Sequence, residues 1–262
     1  MNAKNYVGQP APTRDAATVA ILRDGDGGLE SFFLRRQSTM EFAPDMYVFP
    51  GGGVQASDEA PVRWAGPTPD EWAGILSCEP RMAVALVVAA VRETFEETGI
   101  LLAGPDESTV VGDVSAPVFL RARDALEAKK IGFADLLDEQ GLVLRSDLLG
   151  AWAHWITPEF EPRRYDTRFF VARMPDGQSV GALATEAAAG EWHSLTDTLR
   201  MVKDGDLAML PPTIHTCLDL VGHRAADVVA EAASRTIEPI QPRLVVHEGG
   251  YFLDDTPDVV IP

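Results

Sequence analysis

Short apolar runs separated by turn residues predict strands along much of the chain. The runs at 18–22 and 31–34 flank the Gly- and Asp-rich stretch 24–28, which is typical of two strands joined by a hairpin turn. Further strands are predicted at 152–156, 168–172, 191–194, 244–247 and 251–253, the last two flanking a Gly-Gly pair as a final hairpin.

Helix-boundary signals predict helices between these strands. Residues 68–71 read Thr-Pro-Asp-Glu, a capping box with proline at the first helical position, so a short helix should run to about residue 76. A longer helix should span 81–98 and end at Gly99. Further helices are predicted at 115–140 with a break near Gly132, at 196–203 behind a Thr196 cap, and at 212–234. Strands mixed with helices, without regular βαβ repeats, predict an α/β/α layered domain around a mixed sheet.

Composition and charge narrow the classes of partner. Hydrophobic residues make up 46% and charged residues 24%, which is ordinary for a globular protein, and no apolar run is long enough to span a membrane. Asp and Glu number 40 against 22 Lys and Arg, giving a net charge of −18 that disfavours nucleic acid and anionic membranes as partners. The first residues lack an apolar signal core, and Cys78 and Cys217 fit a reducing compartment, so we expect a cytoplasmic location.

The end of the predicted helix 81–98 carries the strongest indication of chemistry. Glu93, Glu96 and Glu97 share one helix face and lie where the helix dipole is negative, which disfavours each carboxylate by roughly 0.3–1 kcal/mol. The preceding residues 82–91 are almost wholly apolar, so a buried helix should emerge as an acidic cluster. Mg²⁺ and Mn²⁺ prefer oxygen ligands and would favour such a cluster; a solvated acidic surface is the alternative.

A glycine-rich loop upstream of this helix completes a pattern that resembles the Nudix hydrolase family. The second half of the family's motif stands as RETFEETGI at 92–100, and the first half as FPGG at 49–52 followed by Asp58. The chain departs from the pattern at three places: Asp58 replaces a Glu, Thr94 replaces an aliphatic residue, and residues 59–91 stand where the motif has only seven.

Other segments are similar to one branch of that family, the coenzyme A diphosphatases. They are the insertion itself, WITP at 155–158, RYDTRFFVA at 164–172 and LPPT at 210–213. The resemblance covers about 15–222, so we expect a tail at 1–14, a Nudix domain at 15–222 and an extension at 223–262. It implies a Nudix α/β/α sandwich with a mixed β-sheet, a helical insertion within the motif and a C-terminal helical extension.

The resemblance also implies an activity. A Nudix hydrolase of this branch would use Mg²⁺ or Mn²⁺ to cleave the diphosphate of coenzyme A or an acyl-coenzyme A, giving 3′,5′-ADP and 4′-phosphopantetheine. ADP-ribose, NADH, another dinucleotide or a nucleoside triphosphate are alternative substrates. A nucleotide-sensing module without catalysis is the alternative function. The expected partners are a small-molecule substrate and a second copy of the chain in a homodimer.

Site roles follow from the resemblance position by position. It makes Glu93, Glu96 and Glu97 the metal ligands, with Arg92 orienting them through an ion pair. The loop glycines Gly51 and Gly52 let the backbone pass close to the metal site.

The general base and the phosphate contacts are less tightly specified. Glu186, in the stretch before a Trp-x-x-Leu segment, is the candidate base, and Glu191 is the alternative. Arginine suits bidentate phosphate contact, and the candidate substrate contacts are Arg36, Arg163, Arg164 and Arg168. Charge balance with acidic neighbours is the alternative role for these arginines.

Overall fold

The computed structural model describes residues 9–40, 43–182, 187–247, 250–254 and 261. The strands are β1 (Thr13–Gly25), β2 (Gly28–Arg36), β3 (Tyr47–Val48), β4 (Gly51–Gly53), β5 (Trp64–Ala65), β6 (Ala103–Gly104), β7 (Val143–Arg145), β8 (Leu149–Ile156), β9 (Arg164–Arg173), β10 (Ala187–Ser194), β11 (Pro239–Ile240), β12 (Arg243–His247) and β13 (Gly250–Asp254). The α-helices are α1 (Pro69–Leu76), α2 (Pro80–Thr98), α3 (Pro117–Glu127), α4 (Phe133–Glu139), α5 (Leu195–Asp204), α6 (Pro211–Leu220) and α7 (Val228–Ala232).

A mixed sheet of eight strands forms the centre of the fold. Six strands follow the order β10-β2-β1-β9-β8-β11, while β3 pairs with β2 and β4 pairs with β1. The β1–β9 and β8–β11 pairs are parallel and the other pairs are antiparallel, which confirms the mixed sheet. The β1–β2 and β12–β13 pairs confirm the first and last predicted hairpins.

Helices cover both faces of this sheet. Alternate β1 residues Ala17, Val19 and Ile21 pack in one buried cluster with the apolar side chains of α1, α2 and α4. Ala20 and Leu22 belong to a second cluster, with side chains of α5, α6 and α7. Because neighbouring residues of a strand face opposite sides of the sheet, the two clusters are separate layers. The predicted α/β/α sandwich is therefore confirmed.

Helix α2 has the bounds that its sequence signals predict. Pro80 occupies the first turn, and Gly99 ends the helix with φ 77°, a left-handed conformation that glycine adopts without strain. The Gly99 amide donates to the Phe95 carbonyl, at a distance of 2.9 Å. Among the described residues no single helix is long and apolar enough to cross a membrane, and α1 and α2 meet that test only when joined across an 89° bend.

Local and long-range contacts shift several predicted boundaries. Ser194, not Thr196, caps α5, because its side chain accepts from the Asp197 amide at 3.3 Å. The helix predicted at 212–234 is divided into α6 and α7 near Gly222, whose φ is 91°. Strand β1 already begins at Thr13, inside the expected tail.

Helix α7 and strand β11, which follow residue 222, pack with the folded layers. Val228 and Ala232 of α7 are buried in the second core cluster, and β11 adds to the sheet beside β8. A Cβ atom on Gly150 of β8 would lie 2.4 Å from the Ala232 Cβ, so α7 packs directly on the strand. The expected extension at 223–262 thus contacts the domain through α7 and β11, and the boundary at 222 stays a prediction.

The capping box at the start of α1 gives a stability prediction. The Thr68 hydroxyl accepts from the Glu71 amide at 3.3 Å, and the Glu71 carboxylate accepts from the Thr68 amide at 2.7 Å. We expect Thr68→Ala to lower the free energy of unfolding by about 1 kcal/mol in urea denaturation. The exposed Thr196→Ala, at the position that does not cap α5, should change it by less than about 0.5 kcal/mol.

The stability that this capping box contributes should depend on pH. The bonds from Thr68 hold the pKa of Glu71 below its ordinary value, so their contribution is present above the unfolded pKa and is lost as the pH falls. The stability gap between wild type and Thr68→Ala should therefore be larger at neutral pH than at about pH 3. Because alanine keeps the amide bond and loses the hydroxyl bond to Glu71 (2.9 Å), an equal gap at both pH values would contradict the role of the hydroxyl–carboxylate bond.

Candidate active site

The acidic end of α2 and the glycine strand β4 face the same open cavity. The cavity measures about 680 Å³, and Glu93, Glu96 and Glu97 line it together with Gly51–Gly53. The fold creates this arrangement because β4 pairs with β1, against which α2 packs. The two halves of the motif, which residues 59–91 separate in sequence, therefore lie side by side.

The glycines allow the closest contacts between β4 and the helix. The Gly51 amide donates to Oε2 of Glu97 at 2.7 Å. A Cβ atom on Gly51 would lie 2.5 Å from the Ala17 carbonyl oxygen, and one on Gly52 would lie 2.5 Å from the Glu93 carboxylate. These approaches are too close for a side chain, so the loop backbone passes beside the carboxylates as predicted.

Gly52→Ala should therefore impair the site more than it impairs the fold. The added methyl group must displace the Glu93 carboxylate, and we expect kcat/KM for the hydrolysis that the family resemblance implies to fall by about tenfold to a hundredfold. Gly74→Ala is the control, because Gly74 is exposed on α1, lines neither cavity, and a Cβ atom there would meet nothing within 4 Å. Equal kcat/KM values for the two variants would show that the Gly52–Glu93 contact has no role.

Arg92 is buried at the centre of the carboxylates, with 1% of its surface exposed. Its Nε and Nη2 donate to the two oxygens of Asp58 at 2.8 and 2.9 Å. Its Nη1 donates to Oε1 of Glu93 at 2.7 Å and to Oε1 of Glu96 at 3.2 Å. One buried guanidinium group thus joins Asp58 to Glu93 and Glu96, so Arg92 is placed to orient the carboxylates, as the family resemblance implies.

Asp58 reaches Arg92 although it is shorter than the Glu of the family motif. It lies in a 3₁₀ turn, Ala56–Glu59, and its side chain accepts from the Gln55 amide at 2.8 Å. Asp58 is fully buried, so its charge depends on the bidentate contact with Arg92. The turn brings the carboxylate close enough to make up for the missing methylene group.

Burial makes negative charge costly in this cluster. It raises the pKa of Glu93 to about 7, although Arg92 opposes the shift, and the nearby Glu96 and Asp58 act in the same direction as burial. Burial also raises the pKa of Glu96, again against the effect of Arg92. A second cation beside Arg92 would favour the ionised form of both groups.

The donor set fits a hard divalent cation. Carboxylate oxygens are the ligands that Mg²⁺ and Mn²⁺ prefer, and Glu93, Glu96 and Glu97 all line the same cavity. Within the described residues no three His, Cys, Asp or Glu side chains converge as a complete ligand set. Glu93 and Glu96 each accept a hydrogen bond from Arg92, and Glu97 accepts one from the Gly51 amide, so the protein engages one oxygen of each carboxylate.

Comparison with known families agrees with this geometry. The family model described as NUDT19 Nudix domain matches residues 79–220, more than half of the chain. The chain belongs to the Nudix hydrolase family.

Individual Nudix proteins resemble this chain over most of its length. The acyl-coenzyme A diphosphatase NUDT19 of Gallus gallus is 28% identical, covering 77% of this chain and 66% of the relative. Its namesake from Xenopus laevis is 23% identical, covering 71% of this chain and 58% of the relative. The chain thus spans less than two thirds of the length of either relative. A crystal structure of a Nudix hydrolase from Alicyclobacillus acidocaldarius is 30% identical, with a TM-score of 0.65, covering 87% of this chain and 99% of that one.

The structure describes one of the two residues predicted as the general base of the Nudix site. Glu186 lies outside the described residues. Glu191 is on the exposed side of β10, beside His193 at 3.1 Å, and lines neither the carboxylate cavity nor the neighbouring one. Glu127, at the end of α3, lines the carboxylate cavity and was missed in the sequence. No local pattern marks it, because only the packing of α3 near the end of α2 brings it there.

Two of the four candidate arginines have partners elsewhere in the protein. Arg164 is buried and donates to the main-chain oxygens of Thr157 and Ala11 at 3.0 and 2.9 Å. Arg168 is buried and contacts Asp166 and His154. The expectation that these two bind phosphate is therefore corrected, because their guanidinium groups are held inside the fold.

The other two arginines line a second cavity of about 720 Å³. Arg36 and Arg163 lie among mainly apolar walls that include Phe49, Trp155, Phe160 and Phe169. Gly51–Gly53 and Tyr165 line both cavities, so the second cavity adjoins the carboxylates across the glycine strand. Arg36 and Arg163 are thus placed to contact the part of a substrate that lies in the second cavity, away from the carboxylates.

Proposed function

We propose that the protein is a metal-dependent Nudix pyrophosphohydrolase that cleaves the diphosphate of coenzyme A or an acyl-coenzyme A. The observation that carries the proposal is the shared cavity of the three motif glutamates and the glycine strand. The relatives named acyl-coenzyme A diphosphatase support the choice of substrate. The products would be 3′,5′-ADP and 4′-phosphopantetheine or its acyl derivative.

Each motif residue has a distinct task in this proposal. Glu93, Glu96 and Glu97 would hold Mg²⁺ or Mn²⁺, which when bound neutralises phosphate charge and polarises the bond to be broken. Arg92 and Asp58 hold the Glu93 and Glu96 carboxylates at the helix end through buried hydrogen bonds.

The two adjoining cavities support a divided binding site. The diphosphate would lie against β4, and the remote part of the substrate would occupy the largely apolar second cavity. Arg36 and Arg163 would offer cationic contacts to the substrate's phosphates in a protein whose net charge is −18.

The proton acceptor for the attacking water remains a separate proposal. We keep Glu186 as the proposed base, with Glu127 as the alternative that the cavity offers. Glu186→Gln and Glu127→Gln are compared by their kcat at saturating substrate and metal, because loss of a general base lowers kcat by about 10²–10⁴-fold. The variant that keeps wild-type kcat is excluded as the base.

A hydrolysis panel tests the proposed substrate. Coenzyme A, acetyl-coenzyme A, ADP-ribose, NADH, a diadenosine polyphosphate and nucleoside triphosphates are each incubated with Mg²⁺ or Mn²⁺, and the products are separated. Preferred release of 3′,5′-ADP from a coenzyme A compound supports the proposal. If another compound is preferred, the proposed hydrolysis stands and the proposed substrate is wrong. Nucleotide binding without hydrolysis favours a sensing module. A homodimer and a cytoplasmic location remain predictions, the first tested by light scattering.

A further inference from the structure

A buried arginine from α3 reaches the acidic end of α2. Arg123 has 7% of its surface exposed, and its Nε donates to the main-chain oxygen of Glu96 at 2.8 Å. The last carbonyls of a helix have no partner inside the helix and need one elsewhere. The Thr98 carbonyl accepts from the Gly181 amide at 2.8 Å, so α3 and the loop after β9 together complete the end of α2.

The surroundings of Arg123 are closely packed. Cβ atoms on Gly99 and Gly181 would lie 3.4 and 3.2 Å from its Nη1, so the two glycines leave just enough space for the guanidinium group. In the described part of the chain Arg123 makes no ion pair, and its Nη2 has no hydrogen-bond partner. A buried cation without a contacting carboxylate is costly, so the bond to the end of α2 is the contact that accounts for arginine at this position.

The arginine lies in the field of the site's carboxylates. Burial lowers the pKa of Arg123, and Glu127, Asp124, Glu97 and Glu96 oppose that shift through charge interactions. The direct contact, however, is to the peptide carbonyl of Glu96, next to the amide of Glu97. This bond fixes the backbone from which both carboxylates project.

We propose that Arg123 is a positioning residue for the Nudix carboxylates, acting through its bond to the Glu96 carbonyl. It holds the last turn of α2 in one arrangement, so that Glu96 and Glu97 can share a divalent cation with little rearrangement. The inference rests on the metal site of the proposed function. It concerns a residue outside the sequence motif, on a helix that carries no part of that motif.

Binding of Mn²⁺ alone tests this role without any substrate. Free Mn²⁺ is measured by electron paramagnetic resonance with wild type, Arg123→Met and Arg121→Met. Arg123→Met should keep the fold, because an unpaired buried charge is replaced by an apolar side chain of similar length, and should bind Mn²⁺ about tenfold more weakly. Arg121 is exposed on the same helix, so Arg121→Met makes the same charge change and should bind Mn²⁺ like wild type.

Activity gives a second readout. Arg123→Met should lower kcat by about tenfold with little change in KM, because the arginine touches the helix end and not the substrate. Arg123→Lys, which keeps the charge and a donor, should recover part of both Mn²⁺ binding and kcat. If Arg123→Met does not fold, Arg123→Ala is measured with and without millimolar guanidinium, and restored Mn²⁺ binding supports the proposal.

The outcomes separate this inference from the proposed function. Unchanged or tighter Mn²⁺ binding by Arg123→Met overturns the inference, since tighter binding means that the arginine only repels the cation. Failure of guanidinium to restore binding to Arg123→Ala overturns it as well. If wild type hydrolyses no substrate but Arg123→Met still weakens Mn²⁺ binding, the proposed function fails and the positioning role stands. If wild type binds no Mn²⁺, both fail.

Discussion

Glu97→Gln should lower kcat/KM for diphosphate hydrolysis by about a thousandfold while leaving the fold intact. Glutamine has the same shape, and its amide oxygen can still accept from the Gly51 amide, which lies 2.7 Å from Oε2 of Glu97. The substitution removes the negative charge that would bind the cation. A catalytic metal contributes several kcal/mol to the transition state, and each 1.36 kcal/mol is about tenfold in rate.

A control variant distinguishes the effect of losing a negative charge in the cavity from the effect of changing the net charge. Glu139 is exposed at the end of α4, so Glu139→Gln changes the net charge equally without touching the cavity. We expect Glu139→Gln to keep wild-type kcat/KM, and both variants to keep the wild-type melting temperature within a few degrees. A Glu97→Gln enzyme with more than a tenth of wild-type activity would contradict the assignment of Glu97.

Arg92→Met should have the largest effect on stability. It leaves the fully buried Asp58 carboxylate without its bidentate partner, and removing one member of a buried ion pair costs about 3–5 kcal/mol. We expect this loss in the free energy of unfolding measured by urea denaturation. Activity should fall too, because the Glu93 and Glu96 carboxylates lose the guanidinium that holds them.

The control for Arg92→Met is Arg81→Met, which changes an exposed arginine at the start of the same helix. Arg81 pairs with Glu59, but its side chain is 80% exposed, so Arg81→Met should cost less than about 1 kcal/mol. If the two variants lose similar amounts of stability, then Arg92 does not carry the buried network that the contacts indicate.

Much of the site could be predicted because its signals are local in sequence. The glutamate spacing on α2, Pro80 at its start and Gly99 at its end are each readable within a few residues, and the structure has that helix as predicted. The motif marks both Asp58 and Arg92, but their pairing across the insertion was not predicted, because it depends on the 3₁₀ turn that carries Asp58.

The parts that were missed depend on contacts between distant segments. Arg164 and Arg168 are arginines near a substrate-facing strand in sequence, but buried carbonyl and carboxylate partners hold them inside the fold. Arg123 and Glu127 lie on a helix without a motif, and only its packing near the end of α2 gives them a role. The choice of Ser194 over Thr196 as a cap depended on where β10 ends.

A crystal structure with Mn²⁺, located by its anomalous scattering, would show whether the acidic end of α2 and the glycine strand form a divalent-metal site. We predict a Mn²⁺ peak in the cavity beside Gly52, within bonding distance of carboxylate oxygens of Glu93, Glu96 and Glu97. A Mn²⁺ peak only at other carboxylates, or none in that cavity at saturating Mn²⁺, would contradict it.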